Sequence, residues 1–125
     1  MSIDYAKTCI FMRNVEYYGA MKEVIWMGSS KADLKSFPVA VMDDMGHQLF
    51  LVQCGIEPDD WKPITSVGTG VKEIRVKDVA GLFRTIYLAT RPDAVYVLHC
   101  FQKKTQQTSQ RDIELARKRL QDVLR

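Results

Sequence analysis

Residues 71–101 read VKEIRVKDVAGLFRTIYLATRPDAVYVLHCF, and the changes of pattern inside this stretch decide the fold. From Val71 to Lys77 apolar and charged side chains alternate. Ile74 and Val76 share one side while Glu73, Arg75 and Lys77 share the other, as in a strand with one face on a core. Asp78 to Gly81 is turn-like, so Leu82 to Ala89 is expected to return as the antiparallel partner of a hairpin. Arg91, Pro92 and Asp93 make the next turn. Ala94 to Phe101 is then nearly all apolar, which predicts a strand buried on both faces and central in its sheet.

Downstream, Gln102 to Thr108 is polar and reads as a loop. Ile113, Ala116, Leu120 and Val123 then fall on one helical stripe, with Ser109 or Thr108 available as N-cap. Arg117, Lys118 and Arg119 crowd toward the C-terminal part of that helix, where its dipole favours cations.

Upstream, the stretch holding Trp61 and Pro63 reads as a loop. Before it, Val41, Met45, Leu49 and Val52 recur at three- to four-residue spacing, predicting a core-facing helix that runs to about Gln53 and ends at Gly55 and Pro58. Pro38 suits that helix's first turn, where a missing N–H costs nothing. The spacing Ser30-x-x-Asp33 predicts a capped short helix, and Lys22 to Met27, stopped by Gly28, a first strand. The order β, α, α, β, β, β, α describes an α+β domain: a small antiparallel sheet with two N-terminal helices and a C-terminal helix.

A chain of 125 residues supports one core and is short for two ordinary domains. Residues 21–125 are expected to form that domain and residues 1–20 an N-terminal extension, with Met21 a plausible initiator. Residues 1–20 lack the layout of a signal peptide, and the longest apolar runs fall far short of the roughly 20 residues that span a bilayer, so a cytoplasmic location is expected. Cys9, Cys54 and Cys100 are odd in number and lack a C-x-x-C spacing, which argues for structural thiols. No His or Cys is spaced to bind a metal with His47, and Gly68, Thr69 and Gly70 are too few to form a phosphate loop. Of 18 Lys and Arg, 7 lie in residues 103–125, against 3 of 15 Asp and Glu, so that segment carries a net of +4 and the rest −1. Such asymmetry favours an anionic partner.

Glu73 and Arg75 lie two residues, roughly 7 Å, apart on one side of a strand. The hairpin brings Arg84 near them, and Lys103 and Lys104 follow the central strand. Arginines on a rigid sheet suit phosphate binding because a guanidinium grips phosphate oxygens in a fixed bidentate geometry. His99 is either an acid–base group or a hydrogen-bonded core histidine. Tyr87, three positions from Arg84 on a strand, is expected to point to the opposite face, into the core.

The segments VKEIR at 71–75, LFRTIY at 82–87 and VYVLHCFQKKT at 95–105 resemble, in order and spacing, the HigB-like, phage-related branch of the RelE/ParE toxins. RDIELAR at 111–117 looks like that branch's closing helix, and WMGSSKADL at 26–34 with Phe37 and Pro38 like its opening. The resemblance implies a type II toxin: an mRNA endonuclease acting on the ribosome, in which a 2′-hydroxyl attacks the adjacent phosphate without a metal or other cofactor. It implies a cognate antitoxin too, expected to be a helix-turn-helix repressor. Arg75 and Arg84 match family basic positions on the hairpin, and Lys103 or Lys104 one after the last strand. The proton acceptor is then sought among Glu73, His99, Tyr87 and a lysine, with Lys72, Lys77, Lys104 and Arg111 as RNA contacts. Ser109 stands where relatives often have proline. A ParE-like gyrase inhibitor and a non-catalytic RNA- or protein-binding module are the competing readings.

Overall fold

Strand order decides which side chains meet in this protein, whose computed structural model describes residues 21–105 and 107–125. The expected extension, residues 1–20 with Cys9, lies outside the described residues. The elements are β1 (Glu23–Trp26), α1 (Ser30–Lys35), α2 (Val39–Gln53), β2 (Trp61–Pro63), β3 (Val71–Asp78), β4 (Gly81–Leu88), β5 (Ala94–Lys103) and α3 (Gln110–Leu124). The sheet runs β1-β5-β4-β3-β2, so the nearly all-apolar β5 does lie inside it. The fold is α+β as expected, with two refinements. The sheet is mixed, because β1 pairs parallel with β5, and the stretch read as a loop around Trp61 contributes the short strand β2, antiparallel to β3.

Helices cover both faces of the sheet. On one, Val41, Met45, Leu49 and Val52 of α2 are buried against Ile74, Val76, Phe83, Tyr87, Val95 and Val97. On the other, Ala116 and Leu120 of α3 pack on Val71, Ile86, Leu88, Leu98 and Phe101. This two-sided cover accounts for the loss of apolar–polar alternation in β5. Cys54 and Cys100 are buried, and burial pushes the Cys100 thiol up to about 12, as befits a small apolar core residue. Among the described residues no helix is long and apolar enough to cross a membrane.

Helix ends depart from expectation by about one residue. The cap of α1 is Ser29, whose hydroxyl donates to the Asp33 carboxylate at 2.7 Å, while Ser30 is buried and donates to the Val97 carbonyl. Pro38 stands at the N-cap position of α2, just outside the helix rather than in its first turn. Ser109 caps α3, accepting from the Asp112 N–H, and this frees Thr108 for another partner.

The β4–β5 register slips between Ile86 and Tyr87, which pair with His99 and Val97, so Leu98 is an extra residue in a β-bulge. The Leu98 carbonyl is taken by Arg119 Nη1 at 2.9 Å, and Arg119 Nη2 donates to Ser29 Oγ at 3.1 Å. Arg119 passes so close to Gly28 that a Cβ there would lie 2.5 Å from its Nε, and Gly28 has a φ of 55° besides. Arg117 donates to the Ser66 carbonyl at 2.6 Å. Two cations of the basic C-terminal segment are thus occupied in fastening α3 to the domain.

Candidate functional site

The β3–β4 register sets Arg75 directly opposite Arg84, and both side chains stand on the α3 face with Glu73. Like charges at opposed sheet positions, with Cβ atoms about 5 Å apart, repel each other. Two carboxylates offset this. Asp60, just before β2, accepts from Arg75 Nε at 2.9 Å and Nη2 at 2.7 Å, both on Oδ1, and its backbone carbonyl accepts the Arg75 N–H. Glu73, fully buried at 0% exposure, places Oε1 3.4 Å from Arg84 Nε and 3.9 Å from Lys62 Nζ. Its Oε2 accepts from Thr108 Oγ1 at 3.1 Å.

The Arg84–Glu73 contact is an ion pair without the alignment of a hydrogen bond. Arg84 Nε is therefore a buried donor with no acceptor among the described residues. Burial lowers the Arg84 pKa from its ordinary value; Glu73 opposes that shift and Arg75 adds to it. Lys103, diagonal to Arg84 across the β4–β5 pair, is also lowered, first by desolvation and then by Arg84. Asp60, Arg75, Lys77 and Arg84 line one small cleft.

The residues selected from sequence therefore divide. Glu73, Arg75, Arg84, Lys103 and Lys77 converge. Lys104 follows β5 as an exposed side chain and Arg111 is exposed on the first turn of α3, both outside the lining of the cleft. His99 shares the α3 face but is buried, stacked on Phe101 at 4.6 Å, with Nε2 donating to Asp112 Oδ1 at 2.7 Å. Tyr87 and Lys72 are the corrections. They pair with each other on the opposite face, because strand alternation sends positions 72 and 87 away from Glu73 and Arg84. Tyr87 is buried in the α2-side core, and burial raises its phenol pKa. Lys72 instead pairs with Glu57 at 3.2 Å and lies over the Trp61 ring at 4.3 Å.

Sequence reasoning missed Asp60, Lys62 and Thr108. The three-residue β2 is too short to show alternation, and a hydroxyl in a polar loop carries no sign of its distant partner. Cations on a rigid sheet, one with an unfilled donor, with carboxylates that offset their mutual repulsion, form an arrangement that can take an anion. Among the described residues no group of three His, Cys, Asp or Glu side chains could hold a metal ion.

Residues 32–121, from within α1 to within α3, match the sequence profile described as Phage derived protein Gp49-like (DUF891). The chain belongs to the Gp49-like family. That match covers most of the chain and contains Asp60, Lys62, Glu73, Arg75, Arg84, Lys103 and Thr108. The Gp49-like family falls in the RelE/HigB-like group, whose members are toxins of toxin–antitoxin systems, and membership implies a cognate antitoxin. A search of curated proteins finds no match.

Proposed function

We propose that this Gp49-like toxin is a cytoplasmic, ribosome-dependent mRNA endonuclease that needs no metal, with Arg75, Arg84 and Lys103 as its phosphate site. The observation that carries the reading is the opposition of two arginines on one rigid face, Arg84 with a buried donor unfilled. A phosphodiester docked against the two guanidiniums would offset the repulsion between them. Arg does not give up its proton, so Arg75 and Arg84 orient the phosphate and stabilise charge gathering on its oxygens. The 2′-hydroxyl of the preceding nucleotide attacks phosphorus. Lys103, made a better acid by its lowered pKa, protonates the departing 5′-oxygen.

Glu73 is too deeply buried to meet RNA and serves as the counter-ion that holds Arg84. His99 and Asp112 together anchor the first turn of α3. Lys62, Lys77, Lys104 and Arg111 supply contacts to the RNA backbone, while the ribosome fixes the scissile nucleotide near the cations. The cognate antitoxin, a helix-turn-helix repressor, silences the toxin by covering or distorting the basic face.

Primer extension on a reporter mRNA, with and without translating ribosomes, tests this. Discrete cuts that require ribosomes and disappear with Arg84→Ala are expected. Intact message under those conditions would overturn the proposal, and intact message with DNA damage in cells would point to gyrase instead.

A further inference from the structure

Attack by a 2′-hydroxyl requires a group that takes its proton; of the four candidates first considered, the lysine, Lys103, is already the acid of the proposed step, and the other three side chains are badly placed. Glu73 is fully enclosed and accepts from Thr108. Tyr87 is on the wrong face of the sheet. His99 is buried with its Nε2 committed to Asp112.

Asp60 differs from all three. It lines the same cleft as Arg75, Lys77 and Arg84, and its side chain is 47% exposed, so RNA can reach it. Both hydrogen bonds from Arg75 land on Oδ1, which fixes the carboxylate while Oδ2 receives neither of them. The backbone bond from the Arg75 N–H to the Asp60 carbonyl, at 2.9 Å, pins the residue to β3 just before β2 begins. A carboxylate held beside two guanidiniums is thus within a residue's reach of any phosphate they bind.

We infer that Asp60 is the proton acceptor of this site, an inference that rests on the endonuclease reading. Asp60 Oδ2 takes the proton of the 2′-hydroxyl as the bond from O2′ to phosphorus forms. The bond from phosphorus to O5′ breaks, and O5′ leaves with a proton from Lys103. The products are a 2′,3′-cyclic phosphate and a 5′-hydroxyl, with no oxidant, reductant or water consumed. Arg75 then has two tasks, gripping the phosphate and aiming the base.

The test is single-turnover cleavage on mRNA-programmed ribosomes by the wild type, Asp60→Asn and Asp60→Glu. Affinity is measured in parallel on ribosomes whose mRNA carries a 2′-deoxy nucleotide at the cut site. Asn keeps an oxygen that can accept from Arg75 and loses only the basic carboxylate. The cleavage rate of Asp60→Asn should fall by about 10²- to 10⁴-fold, the usual contribution of a general base. Its affinity for the deoxy complex should hold or tighten, because a negative charge near the phosphate is gone. Asp60→Glu should cleave faster than Asp60→Asn. A rate for Asp60→Asn close to that of the wild type overturns the inference, as does a loss of affinity that accounts for the loss of rate, or an Asp60→Glu no faster than Asp60→Asn. Failure of the wild type to cut at all overturns the endonuclease reading and this inference with it.

Discussion

On the face of the sheet covered by α1 and α2, Ile74, Val76, Phe83, Val95 and Val97 form a continuous apolar layer, and Tyr87 joins it with a hydroxyl that finds no partner among the described residues. The face covered by α3 is apolar where Val71, Ile86, Leu88, Leu98 and Phe101 meet Ala116 and Leu120. Along β3 and β4 toward their shared turn it passes to Glu73, Arg75 and Arg84. The same two strands thus contribute a core on one side and a set of half-desolvated charges on the other. Packing dictates the first, since close-packed side chains exclude water. Nothing in the stability of the fold calls for the second, because opposed arginines repel and a buried carboxylate is costly to desolvate. The contrast assigns stability to one face and, on the proposed reading, ligand binding to part of the other.

The contrast can be broken by substitutions on each side. Phe83→Ala, in contact with Phe37 at a ring-centroid distance of 4.8 Å, opens a cavity in the apolar layer. It should cost about 3–5 kcal/mol in denaturant unfolding. Glu73→Ala should cost about 3 kcal/mol, since it leaves the Arg84 guanidinium buried without its counter-ion. Replacing both partners, as Glu73→Leu with Arg84→Met, should cost less than Glu73→Ala alone while abolishing cleavage. A double variant less stable than the single one would mean that the ion pair holds the fold. Tyr87→Phe removes a buried hydroxyl that lacks a partner, so unfolding and cleavage should change least, by under about 1 kcal/mol. A large loss of activity there would return Tyr87 to the site.

Much of this division could be read from the chain. Alternation in Val71 to Lys77 and the turn at Asp78 to Gly81 set the hairpin register, and with it the meeting of Arg75 and Arg84 and the departure of Tyr87. Contacts set by distant segments could not be read. The parallel pairing of β1 with β5 joins residues about 70 positions apart, and no local pattern reveals its direction. Glu73 looked like a surface acid because its cover, Thr108, comes from the loop before α3. Asp60 and Lys62 were hidden because the connection from β2 to β3 has no periodicity to fix the register that places them. The basic C-terminal segment suggested an anionic partner, yet Arg117 and Arg119 bond backbone carbonyls of the domain itself.

The central claim is that the opposed arginines on the α3 face, and not the cations or the phenol on the other face, carry the chemistry. The most direct measurement is ribosome-dependent mRNA cleavage by Arg75→Ala with Arg84→Ala, set beside Lys72→Ala with Tyr87→Phe, each confirmed folded by thermal melting. The account predicts that the first double variant loses cleavage by at least about 10²- to 10³-fold, the effect of deleting even one charge-stabilising donor, while the second cuts at nearly the wild-type rate. Equal losses in the two, or a greater loss in the second, would contradict it.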